Sequence, residues 1–150
     1  MTIDFGSLIL TQTPDAVVVT STSGEVLCWT NGAQAVFGYT SDEALGRQLD
    51  ALIVPQALAD GGGMAQQPLA RGVASYESVR QAKDGTLIYV DSSCKLIPGD
   101  GERPDVILWS KKDVTALKVL RDAKLVEARY DGILESVPDA IIMANAAGRI

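Results

Sequence analysis

The spacing of apolar and polar residues changes period several times along the chain, and each change marks an element. Phe5, Leu8, Ile9 and Leu10 fall at mixed spacing within residues 1 to 13, which suits a short helix ending before Pro14. Pro14-Asp15 leads into Ala16 to Ser21, a strand dense in valine. The turn Ser23-Gly24 precedes a second strand, Glu25 to Thr30. A short helix follows, with Asn31 able to cap it and Ala33, Val36 and Phe37 at helical spacing. Gly38-Tyr39 ends that helix, because glycine tolerates a left-handed exit. Thr40 or Ser41 caps a further short turn, Asp42 and Glu43 sit at its positive end, and Gly46-Arg47 closes it. Leu49, Leu52 and Ile53 are again in helical register, and Pro55 can start another helix. Gly61-Gly62-Gly63 reads as a loop, either a surface insertion or a flexible segment on a ligand-facing side.

From Val73 the period becomes two, Ser75, Glu77 and Val79 alternating with Tyr76, Ser78 and Arg80. Asp84-Gly85 predicts a hairpin turn, Thr86 to Ile97 the return strand, and Pro98-Gly99-Asp100-Gly101 a second turn before a last strand from Asp105 to Val114. If Asp91 and Lys95 face water, alternation turns Ile88, Val90, Ser92, Cys94 and Leu96 inward. After Thr115 comes a long helical stretch. Ala116, Val119, Ala123, Val126, Tyr130 and Ile133 recur at alternating spacings of three and four, a coiled-coil seam, with Lys118, Arg121, Asp122, Lys124, Glu127 and Arg129 on other faces. An amphipathic helix laid on its own sheet would show a similar pattern; a helix pairing between chains is the preferred reading.

Residues 25 to 47 carry a specific resemblance. Trp29, Gly32, Ala33, Phe37, Gly38, Tyr39, Glu43, Ala44, Gly46 and Arg47 match, without a gap, the central pattern of PAS domains, the sensory fold of bacterial signalling proteins. Thr30 stands where asparagine is usual, with Asn31 beside it. Asp113-Val114-Thr115 resembles the Asp-Ile-Thr signature that closes such domains. The resemblance implies an α+β fold: a five-stranded antiparallel sheet of order 2-1-5-4-3, short helices on one face, and a long C-terminal connector helix. The expected division is an N-terminal cap segment over 1–14, the PAS domain over 15–115 and a connector of coiled-coil type over 116–136.

A repeat adds to this. Residues 9–26 (ILTQTPDAVVVTSTSGEV) align with 133–150 (ILESVPDAIIMANAAGRI) at identical offsets, so 137–150 read as the truncated start of a second copy, and the chain as a fragment of a longer multi-PAS protein.

Composition narrows the functions. At 150 residues, 47% hydrophobic and 21% charged, the chain has the make-up of one ordinary globular domain. A net charge of −6 argues against a nucleic-acid face, and no apolar run or N-terminal signal points to direct membrane contact, so a cytoplasmic location is expected. Cys28 and Cys94 lack metal-ligand spacing and read as structural thiols. Histidine is absent, removing the usual general base and metal ligand; neither an enzyme nor a metal site is expected in this chain.

PAS domains hold small ligands or cofactors between the inner sheet face and the short helices. The family register places Ala16, Val18 and Thr20 of the first strand, and Ile107, Trp109 and Lys111 of the last, on that face beside Val90 and Ser92. Phe37 and Leu52 close the site from the helices. A histidine-ligated haem is excluded, and Leu49 occupies the position of the cysteine that bonds flavin in light-sensing members, which excludes that photochemistry. A redox-sensing FAD domain remains open, with Trp29 and Trp109 able to stack on the ring. A small carboxylate held by Lys111 or Arg47 and a ligand-free interaction module also remain open. The expected function is a sensory and dimerisation module that relays a ligand or cofactor state to an effector domain of the same polypeptide, a histidine kinase or cyclic-dinucleotide enzyme. Val119, Ala123, Val126, Tyr130 and Ile133 are the expected homodimer and signalling seam.

Overall fold

The structure is a computed structural model that describes residues 2–61 and 72–136. The proposed second copy over 137–150 and most of the triple-glycine loop lie outside the described residues. Helix α1, Phe5–Gln12, starts at Asp4, whose carboxylate accepts hydrogen bonds from the amides of Gly6 and Ser7, and it buries none of its residues. Strands β1, Ala16–Ser21, and β2, Val26–Trp29, pair antiparallel. Three stubby helices follow: α2, Asn31–Phe37; α3, Ser41–Ala44; and α4, Leu49–Ile53. After Pro55 comes a single 3-10 segment, Gln56–Gly61. Strands β3, Val73–Gln81, β4, Leu87–Ile97, and β5, Val106–Asp113, complete one sheet of order β2-β1-β5-β4-β3. Helix α5, Thr115–Ser136, is the last element.

The first helix cap differs from the sequence expectation. Thr30, not Asn31, caps α2, and Asn31 is its first helical residue. The Thr30 hydroxyl donates to the Val17 carbonyl at 2.8 Å and accepts from the amides of Val17 at 3.2 Å and Ala33 at 3.4 Å. One short side chain thus ties the helix start to β1 at the position where asparagine is usual. Gly32 lets the backbones meet, since a Cβ there would lie 2.1 Å from the Asp15 carbonyl oxygen. Gly38, at φ 82°, supplies the left-handed exit from α2. A capping box on Thr40 and Glu43 then starts α3.

One face of the sheet and the short helices share a single core. Ala16, Val18, Val90, Ile107 and Trp109 from the strands pack with Phe37, Leu49, Leu52 and Ile53 from the helices. Each fully buried side chain of this size contributes about 1.5–3 kcal/mol by leaving water. The register aligns inner-face residues into rows: Tyr76 pairs with Ser92, Ser92 with Lys111, and Lys111 with Ala16. The neighbouring row runs Ala74, Cys94, Trp109, Val18 and Trp29.

Candidate functional site

The inner sheet face is where polar groups enter an otherwise apolar interior. Lys111 is fully buried, because β5 alternates in the register that puts Ile107 and Trp109 inside with it. Its Nζ donates to the Ser92 hydroxyl at 3.1 Å and lies 4.4 Å from the centre of the Trp109 ring. Burial, with the Arg80 charge assisting and Cys94 and Asp50 opposing, lowers its pKa to about 7. Trp109 in turn donates its Nε1 hydrogen to the Thr20 hydroxyl at 3.0 Å. All three polar residues expected to point inward, Thr20, Ser92 and Lys111, are buried and hydrogen-bonded.

The apolar members of the expected set are also buried, as packed core. Val18 lies between Trp29 and Trp109 in the register. Trp29 donates to the Tyr39 carbonyl at 2.8 Å, and its ring centre lies 5.9 Å from that of Phe37. Both indoles are therefore engaged and buried within the protein, and a flavin could stack on them only by displacing packed side chains. Arg47 is exposed on the loop before α4, outside this interior, so of the two cations considered for a carboxylate only Lys111 is inside.

Open space lies beside this core. A cleft of about 570 Å³ runs between α4 with its following 3-10 segment and the β3–β4 hairpin, and Tyr39, Asp50, Leu52, Leu58, Arg80 and Lys83 contribute to its walls. Leu52 is the one residue of the expected site that lines it; Phe37 lines a neighbouring cleft of about 450 Å³. Val18, Thr20, Trp29, Val90, Ser92, Trp109 and Lys111 line neither. At the rim, Lys83 and Glu43 form an ion pair at 2.5 Å, which holds the Glu43 carboxyl below the usual carboxylate range.

Sequence reasoning passed over β3. Tyr76, Ser78 and Arg80 all turn inward, and the Tyr76 hydroxyl, the Ser78 hydroxyl and Arg80 Nε are buried without hydrogen-bond partners. The Tyr76 hydroxyl lies beside the Arg80 charge, and burial raises its pKa. A signal for this face did exist. The hairpin closes with the Ala82 amide bonded to the Thr86 carbonyl, which sets Ser78 opposite Val90 and Tyr76 opposite Ser92. Extending the inward face of β4 across that turn identifies all three residues.

Comparisons with known proteins agree with this geometry. The family model described as the PAS fold matches residues 4–114. Among solved structures, the PAS domain of a protein from Colwellia psychrerythraea is similar at 24% identity and TM-score 0.65, covering 75% of this chain and 96% of that one. A domain of a sensory box sensor histidine kinase/response regulator from Geobacter sulfurreducens is similar at 24% identity and TM-score 0.59, covering 73% and 92%. The PAS domain of nitrogen regulation protein NR(II) from Vibrio parahaemolyticus is similar at 18% identity and TM-score 0.58, covering 74% and 99%. At these identities the likeness is one of fold. No curated protein matches the chain.

Proposed function

Because the chain belongs to the PAS family over residues 4–114, we propose that it is the sensory and dimerisation module of a bacterial signalling protein. It reads the state of a small ligand or cofactor and passes it through α5 to an effector domain of the same polypeptide, a histidine kinase or cyclic-dinucleotide enzyme, in the cytoplasm. The chain acts as a relay, and the catalytic step belongs to the effector. No helix among the described residues is long and apolar enough to cross a membrane.

The observation that carries the reading is how β5 hands over to α5. Asp113 accepts from the Thr115 amide at 2.9 Å and from its hydroxyl at 2.6 Å. The same hydroxyl accepts from the Tyr89 amide at 3.0 Å, and the Val114 amide donates to the Tyr89 carbonyl at 2.8 Å. The first residue of α5 is thereby clipped to β4, one position from Val90 on the inner face. A change in packing against that face reaches the helix through three residues, and the mechanism is a shift between two populations of strand and helix arrangement.

Val119, Ala123 and Val126 are exposed along α5 at seam spacing, with Tyr130 and Ile133 continuing the row, and a second copy of α5 covers them in the dimer. Light scattering on the purified chain tests this. The expected mass is twice that of one chain, falling to a single chain in Val126→Glu. A monomeric wild type, or a variant that stays dimeric, rejects the paired helix.

A further inference from the structure

The cleft beside α4 contains a buried cation that no described carboxylate neutralises. Arg80 is 7% exposed, its Nη1 donates to the adjacent Val79 carbonyl at 2.8 Å, and its Nε has no partner. It forms no ion pair among the described residues. With Nη1 used on Val79, the Nε–Nη2 edge is left over, the edge whose geometry matches two carboxylate oxygens. Ser78 and Tyr76 precede it on the same strand face, and neither lines the cleft. A buried guanidinium without a counter-ion is costly, and an anion bound on its free edge removes that cost. Charge narrows the class further. Asp50 lines the same cleft and Lys83 at the rim is committed to Glu43, so a single negative charge fits better than a phosphate dianion.

We infer that the cleft between α4 and the β3–β4 hairpin binds a small organic monocarboxylate, anchored by the Nε–Nη2 edge of Arg80. This rests on the sensory reading above and names the ligand class for it. The anchor lies on the edge strand, apart from the Lys111–Ser92 pair at the sheet centre.

The test is a titration of the full 150-residue chain with sodium pyruvate at constant ionic strength, read by melting temperature and tryptophan fluorescence. Saturable stabilisation is expected with pyruvate and none with methyl pyruvate, which keeps the body of the acid without its charge. Arg80→Lys, folded by circular dichroism, is expected to weaken binding about tenfold or more, because an ammonium cannot form the fork. Equal response to the ester, no saturable response to pyruvate, or tighter binding of inorganic phosphate each overturns the proposal, and the ester comparison stands even if the variant misfolds. A flavin or neutral molecule retained in a native mass spectrum overturns the carboxylate while leaving the sensory reading intact. Failure of the Val126→Glu experiment rejects the paired helix and leaves the carboxylate site standing.

Discussion

Two stretches of the same inner sheet face treat their polar groups in opposite ways. On the central strands every polar side chain that enters the core is paired within the protein: Trp109 with Thr20, and Lys111 with Ser92. On the edge strand β3, the Tyr76 and Ser78 hydroxyls and Arg80 Nε are buried and unpaired. Both stretches sit in one sheet and face one core, so position relative to the helices does not explain the contrast. Chain connectivity does. A central strand has a neighbour on each side whose side chains lie in the same row, whereas β3 has only β4 beside it. Groups on the central strands are satisfied by the fold itself, whereas on the edge strand Arg80 lines a cleft with its Nε unpaired. In this domain the paired polar groups hold the scaffold together, and the unpaired edge of Arg80 is the group proposed for recognition.

The sharpest way to break that contrast is to destroy the paired side. Trp109→Ala removes a side chain that is nearly fully buried and leaves Thr20 without its donor, and a loss of about 3–5 kcal/mol is expected in chemical denaturation. A loss below 1 kcal/mol would mean that the centre is not scaffold.

Lys111 sharpens the comparison through pH. Unfolded, it titrates near 10.5; folded, near 7, so between these values the unfolded chain binds the extra proton and stability rises with pH. Burial raises the pKa of Cys94 above 9.0 and of Tyr76 above 10.0, and both work the other way at higher pH, which leaves pH 7 to 9 as the clean window. Stability should climb there by roughly 1 kcal/mol per pH unit in the wild type and stay flat in Lys111→Met. A variant that keeps the slope would assign it to another group.

The smallest effect belongs to the edge. Tyr76→Phe and Ser78→Ala delete hydroxyls that make no bond, so each is expected to be neutral, or stabilising by up to about 1 kcal/mol, in the absence of ligand. Clear destabilisation of the ligand-free protein by either one would show that these hydroxyls are paired and would erase the contrast.

Much of this was legible from residues alone. The valine run of β1, the period-two pattern of β4 and the motif from Trp29 to Arg47 located the strands and short helices to within a residue or two of where they lie. The inward positions of Thr20, Ser92, Trp109 and Lys111 also followed, from the alternation of β4 about Asp91 and Lys95 and from the family register on β1 and β5. What these residues determined was local order and which face of a central strand is dry. Strand β3 resisted, since Ser75 and Glu77 on one face mirror Tyr76, Ser78 and Arg80 on the other and no apolar stripe marks the inside. Asn31 was misread as the cap for a related reason: both Thr30 and Asn31 can cap, and only the approach of Val17 selects between them. Periodicity reports burial where water is excluded from one whole side of an element. Where a strand lies at the sheet edge and its inner face is polar, its own pattern does not report the facing; the register with its hairpin partner decides it, and that register is fixed only when the sheet forms.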